Sequence, residues 1–456
     1  MTKKYIGCTC FILCIVVFLA VGCTSKNGGM KGPQIGLSYQ AEVTDLSKAF
    51  EIILENGTRE FFNGYPIDYA FLHWVSVNHG ENVLLDIAYS VYEGNTEGDI
   101  WYELTGKSMH VIWLEYCKDR QYATYYLENV HWIECASDEV VTLDFTGDIN
   151  LADEWHTMQA LAEKQNGIYD CIAPEIVEEL QSADLSIINN EFVFTDGGDR
   201  QLDKAYTFGA KTEHVTMLEA FGADLANLAN NHTYDYRALG LMDTIATLEG
   251  AGIETMGAGA NIEEAKAIQY YVANGKKIAI VSATEIERFS KYTKEATDTE
   301  AGVLKNLHPD IYHAVIAEAD RNSDYVIANV HWGVEGTYVY NNSQQSYARG
   351  FVEAGADAVI GGHPHRLQGI EFFDGAPVVY SMGNFWFSTG TLYTEIVQLQ
   401  IDGDGELNLR VIPCIQQDLA TRMLTEEEID AFHKSMADTS YGVVIEQDGF
   451  VYNTFN

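Results

Sequence analysis

DAVIGGHPH, residues 357–365, joins a short β-branched run to two glycines and then, without a gap, to His363, Pro364 and His365. An apolar run of this length bounded by Gly reads as a buried strand. The histidines at its carboxyl end sit where open α/β sheets hold their ligands, and imidazole is suited both to metal ligation and to proton transfer. Pro364 disfavours helical backbone at His363. Alternate residues of an extended segment point the same way, so His363 and His365 are expected to chelate neighbouring cations.

The same grammar recurs outward from this stretch. VVTLDF (140–145) runs into Thr146-Gly147-Asp148-Ile149-Asn150, and LSIINN (185–190) into Glu191. DLANLAN (224–230) runs into Asn231-His232 with Asp235 three residues on, and YVIANVH (325–331) into Trp332-Gly333-Val334-Glu335. KIAIVSA (277–283) and PVVYSMGNF (377–385) complete the set. Between these runs, segments 212–221, 236–251, 310–321 and 343–354 carry apolar residues at helical spacing, with Gly at or just past the ends of the first, second and fourth. Strand–helix alternation of this kind predicts an α/β fold whose sheet is largely parallel at its centre and covered on both faces.

Each polar cluster alone has an ordinary reading. Gly-Asp is a common turn, an acid after a strand is usually a loop acid, and Asp235 serves as a cap for the helix that follows. Together they supply Asp148, Glu191, Asn231, His331, His363 and His365 at strand ends. That mixture of carboxylate, amide and imidazole suits Mn, Fe or Zn, and two such cations rather than a thiolate-bound metal.

The chain has 456 residues, enough for two to four domains, and 47% of them are hydrophobic, enough for buried cores. Its 27 Lys+Arg against 67 Asp+Glu give a net charge of −40, which argues against nucleic acid as a partner. An anionic substrate needs a local cationic feature, and a bound metal is the first candidate. Arg366, just after the last His, is a second: a bidentate donor to carboxylate or phosphate, or a surface ion-pair residue.

Lys3 and Lys4 precede an apolar stretch, small residues and then Cys23, the order of a secretory signal. The Ala-Val-Gly-Cys ending resembles a bacterial lipobox, which implies cleavage before Cys23, lipidation of its sulfur and a membrane-tethered body outside the cytoplasm. The alternative is an uncleaved anchor. Residues 23–36 read as a tether, 37–138 as a small α+β domain with strands near 82–92, 108–115 and 122–131, 139–420 as the main domain, and 421–456 as a C-terminal extension. Beyond Cys23 only Cys117, Cys135, Cys171 and Cys414 remain, without zinc spacing. Cys117 and Cys135 are either a disulfide in an oxidising exterior or isolated buried thiols.

GDIN, NNE, LANNHTYD, HWGVE, GGHPHRLQGIE and YSMGNF, in that order over about 140–390, resemble the poly-γ-glutamate capsule biosynthesis (CapA-like) family of the calcineurin-like metallophosphoesterase superfamily. The resemblance implies a four-layer αββα sandwich with metal ligands Asp148, Glu191, Asn231, His331, His363 and His365. It implies His232 as proton donor or charge stabiliser, Glu335 as a supporting acid or base, and Asn384 as a group that orients substrate or a ligand. Asn150 stands where the wider superfamily has a His and is assigned to substrate. The implied function is synthesis, export or anchoring of poly-γ-glutamate beside membrane-bound synthase subunits, as a metal-dependent hydrolase or transferase. The rivals are a non-catalytic polymer-binding assembly factor and a phosphoesterase acting on the cell envelope.

Overall fold

The computed structural model describes residues 46–56, 69–93, 100–118 and 129–455, apart from positions 134, 138, 288–290 and 307–308. The signal segment, Cys23, the tether and most of 122–131 lie outside the described residues. So does the side chain of Cys117, and with it the Cys117–Cys135 pairing. Among the described residues no helix is long and apolar enough to cross a membrane.

The chain forms two compact units, Met1–Glu128 and Asn129–Asn456. The described part of the first is helical: Leu46–Asn56, Tyr69–His79, Glu81–Glu93, Ile100–Thr105 and Met109–Lys118. The strands expected near 82–92 and 108–115 are therefore helices. The physical reason is burial: Val83, Leu84, Ile87, Ala88 and Val91 are all buried, a three-to-four-residue stripe that the β-branched composition disguised as alternation. Their core is aromatic, with Phe71 in contact with Trp101, Trp113 and Tyr116.

The second unit is the four-layer sandwich. A seven-stranded sheet has the parallel centre Lys276–Thr284, Tyr325–His331, Ala358–Gly362 and Ala376–Val379. In a ten-stranded sheet, Val141–Ile149, Leu185–Asn190, Leu225–Asn227 and Glu254–Met256 form a parallel side that ends at one edge. The period-2 alternation of side chains sorts each strand between layers. Ile278 and Ile280 join Leu143, Phe145, Ile187 and Leu225 between the sheets. Ala279 and Val281 face outward onto Tyr312 and Ile316 of helix Pro309–Asp320. On the far side, Ile188 and Ala226 pack with Leu218, Leu241 and Leu248 of helices Val215–Phe221 and Arg237–Gly250.

Two boundaries differ from the sequence reading. Strand Val130–Trp132 pairs with Gln269–Ala273, so the second unit begins before residue 139. Antiparallel strands Leu392–Ile401 and Leu407–Gln417 extend the ten-stranded sheet, and the C-terminal region joins the same unit. Helix Glu426–Thr439 buries Phe432 and Met436 in the inter-sheet core, and Phe450–Asn453 pairs with Leu407–Gln417.

Register sets the site. In the ten-stranded sheet Asn384, Asp148, Asn189 and Asn227 are cross-strand neighbours. In the other, Thr284, His331 and Gly362 line up the same way. Gly147 is obligatory here: a Cβ at this position would stand 2.1 Å from the Gly383 carbonyl, which accepts the Asp148 N–H at 2.9 Å.

Candidate metal centre

Strand-end loops of both sheets deliver the donors. Glu191, His331 and His363 form one group that could hold a metal ion, and Asp148, Glu191 and His365 form another. Within each group the ligand atoms lie within 4.8 Å of one another, and Glu191 belongs to both. His331 Nε2 is 3.5 Å from Glu191 Oε1, 3.2 Å from His363 Nδ1 and 2.8 Å from Asn231 Oδ1. His365 Nδ1 is 2.9 Å from Asp148 Oδ2 and 2.7 Å from Asn384 Oδ1.

Two observations suit these residues to cations. Glu191 Oε1 and His331 Nδ1 are buried and have no hydrogen-bond partner, an arrangement that costs free energy unless something else satisfies them. The protonation tendencies agree. Burial drives the His331 imidazole down to about 3 against the pull of Asp148, and burial also depresses His363. Both rings therefore favour the neutral state that ligates metal. Burial and then the nearby Asp148 charge raise Glu191 well above the carboxylate range. Two buried carboxylates side by side resist joint ionisation, and a cation removes that conflict. Burial opposes charge on Asp148 too, but the His365 hydrogen bond and charge lead a set of contacts that hold its carboxyl low. For His365, burial acts most strongly against the proton, but the Asp148 hydrogen bond and charge, with Glu335 and Asn384, together outweigh it and raise its proton affinity.

The loop GGHPH differs from its sequence reading. His363 has φ 98° and His365 φ 55°, both in the left-handed region rather than extended. Non-glycine residues there carry strain that the surroundings must offset, and such positions cluster at functional sites. The two histidines still serve neighbouring groups, because the two left-handed steps turn one toward His331 and the other toward Asp148. Gly361 and Gly362 make the close approach possible. A Cβ on Gly361 would lie 2.2 Å from the Tyr380 carbonyl, and one on Gly362 3.3 Å from Asp148 Oδ1.

Of the other nominated residues, His232 lies beside the centre. Its Nδ1 is 2.7 Å from Asp235 Oδ2, which places the hydrogen on Nδ1 and leaves Nε2 free. Burial lowers its proton affinity against the pull of Asp235. Asn384 orients His365. Asn150 is buried and its amide oxygen accepts from the Ala152 N–H at 2.8 Å, so that atom holds a turn. Glu335 is exposed, on a loop lining a cavity with Glu285, Glu287 and His363. Arg366 donates to the His365 carbonyl at 2.6 Å and lies over the Tyr338 ring.

Sequence reasoning missed two supports. Asn189 donates to Asp148 Oδ1 at 2.6 Å and accepts from Asn227 at 2.9 Å, so an amide relay fixes the carboxylate. Lys204 is buried beneath His232. It pairs with Asp235 Oδ1 at 2.8 Å and donates to the Asn231 carbonyl. The doubled Asn in LSIINN was a signal for the first; Lys204, in a motif-free loop, gave none.

Comparison with known proteins agrees with this geometry. The family described as bacterial capsule synthesis protein PGA_cap matches residues 142–389, more than half the chain. The PGA biosynthesis protein CapA of Bacillus subtilis (strain 168) is 30% identical over 286 residues, covering 62% of this chain and 73% of that protein. The capsule biosynthesis protein CapA of Bacillus anthracis is 32% identical over 254 residues, covering 54% and 61%. A probable polyglutamine synthesis accessory protein of Mycobacterium tuberculosis is 29% identical over 216 residues, covering 46% and 57%. The match thus spans less than two thirds of the latter two relatives. The ligand-bearing loops from Asp148 to His365 all fall inside the matched region, and the chain belongs to the PGA_cap family of bacterial capsule synthesis proteins.

Proposed function

We propose that this protein acts in poly-γ-glutamate capsule biosynthesis as a metal-dependent hydrolase or transferase, held on the outer face of the cell membrane by a lipid on Cys23. The observation that carries the reading is the pair of donor groups sharing Glu191. Divalent cations held there supply Lewis acidity toward a carbonyl or phosphoryl oxygen and lower the pKa of water. The chain's own residues do the rest. Asp148 and Asn384 fix the His365 ring. Asp235 fixes the His232 tautomer, leaving Nε2 to exchange a proton with the substrate's leaving atom. Glu335, exposed beside the His363 cavity, exchanges protons with solvent.

A second reading, a polymer-gripping assembly factor without turnover, draws on Asn150, which holds a turn where the wider superfamily has a His, so that one metal is bound weakly or only one is bound. Elemental analysis and incubation with γ-glutamyl oligomers and a generic phosphoester separate the readings. Two transition metals per chain with bond cleavage support catalysis, and stoichiometric oligomer binding without cleavage supports gripping. Cleavage of the phosphoester alone moves the activity to envelope phosphoesters. Under the catalytic reading Asn231→Ala and His363→Ala abolish turnover with an unchanged circular dichroism spectrum; retained turnover in both discards it.

A further inference from the structure

Arg366, the cation expected to meet an acidic substrate, is engaged with the His365 carbonyl and the Tyr338 ring. A different cation stands at a cavity on the His232 side of the centre. This cavity of about 320 Å³ is walled by Trp155, Tyr206, Phe208 and Tyr236, with Arg200 among its lining residues. Its volume is at the lower end of ligand pockets, ~300–1,000 Å³, which fits a residue or two and not a long polymer segment. Phe208 links it to the centre: its ring is 4.3 Å from the His232 ring on one side and 4.8 Å from Trp155 on the other. Gly209 carries no side chain because a Cβ would stand 2.5 Å from the Tyr236 ring, so ring faces and backbone form the floor.

Arg200 is unusual in a chain of net charge −40. Among the described residues its guanidinium makes no hydrogen bond, and its one ion pair is with Glu154 at 3.7 Å. The Glu154 side chain is 91% exposed, so this is a loose, solvent-screened contact that a ligand acid displaces. The other acid in the cavity, Asp153, is occupied by His214 Nε2 at 2.7 Å and the Lys211 N–H at 3.1 Å. A five-donor fork without acceptors, beside aromatic faces, matches a ligand that pairs a carboxylate with a short methylene chain.

We infer that this cavity is a subsite for the γ-linked glutamate residue next to the reacting bond, with Arg200 holding its α-carboxylate and the Trp155 and Tyr206 rings covering its methylenes. The inference rests on the polymer reading above and names the piece of substrate that the His232 side recognises. Arg200 is the specificity-determining residue; it touches no metal ligand and is half-exposed, so its replacement leaves the fold intact.

The test measures binding of tetra-γ-glutamate, and of the same oligomer with its α-carboxylates amidated, to metal-reconstituted full-length protein and to Arg200→Gln and Arg200→Lys. In Arg200→Gln, affinity for the acid oligomer is expected to fall by about tenfold or more, with the amide oligomer unchanged and Arg200→Lys recovering part of the loss. Equal affinity of wild type and Arg200→Gln for the acid oligomer overturns the subsite while leaving the polymer reading intact. A wild type that binds neither oligomer but binds phenyl phosphate in an Arg200-dependent manner discards the polymer reading and makes the cavity a phosphate subsite, which also overturns the glutamate assignment.

Discussion

Glu395 shows how a single buried group shapes behaviour. It is fully buried, both carboxyl oxygens lack hydrogen-bond partners, and burial pushes its pKa from the ordinary 4.5 up to about 8. The folded chain therefore keeps this proton at pH values where the unfolded chain has lost it. With more protons bound folded than unfolded, stability falls as pH rises from about 4.5 toward about 8, at no more than ~1.4 kcal/mol per unit. Glu395→Gln is expected to flatten that part of the stability–pH curve and raise the melting temperature near pH 8; a wild-type slope in the variant refutes the assignment. The same scale shows what was legible in the sequence. Asp148, Glu191 and the three histidines announced themselves because metal-competent side chains directly after apolar runs are uncommon. Lys204 stayed invisible because its partners are 27 and 31 residues away along the chain, beyond helix Val215–Phe221 and strand Leu225–Asn227, and meet it only in the fold.

Elements were legible where the core dictated them. The parallel strands of the sandwich other than Glu254–Met256 are largely buried on both faces, so their β-branched runs left little ambiguity, and the four helices between them begin and end within a few residues of expectation; Glu254–Met256, half-buried and three residues long, gave no such run. Elements failed where composition and period disagreed, as in Glu81–Glu93, whose Val and Ile content masked a helical stripe. The turn after Ala358–Gly362 also escaped: the Pro rule predicted extended backbone, and both histidines are left-handed, with His363 against His331 and His365 against Asp148. The two glycines of that turn are expected to respond differently to Ala. Gly361→Ala meets backbone and the Trp332 Nε1 at 2.5 Å, so it lowers the melting temperature by several degrees. Gly362→Ala crowds Asp148 and His331 at 3.3 and 3.5 Å, so it weakens metal retention more than it weakens the fold. Thermal denaturation beside metal analysis distinguishes them, and identical behaviour of the two variants contradicts this reading.

At the scale of the molecule, unit limits follow pairing, not motif limits. A chain of residues 129–456 keeps the edge strand Val130–Trp132 and the C-terminal helix, and is expected to be soluble with a single cooperative melt. A chain of 139–420 loses both, exposes the core positions that Phe432 and Met436 cover, and is expected to aggregate. Comparable melts for the two chains defeat the argument. The sandwich was legible because its motifs repeat strand by strand; the antiparallel strands Leu392–Ile401 and Leu407–Gln417, inside the 139–420 domain, carry no such motif and were not foreseen.

Each candidate ligand group draws from both sheets: Glu191 and Asp148 come from the ten-stranded one, His331, His363 and His365 from the loops of the other. A cation in either group is thus a rivet through the sandwich, tying together two layers that meet at this rim through the His365–Asp148 and His331–Asn231 contacts. Loading and chelation then become mechanical as well as chemical events. Occupancy raises the unfolding temperature in proportion to the logarithm of free metal, and a chelator loosens the rim before the interior gives way.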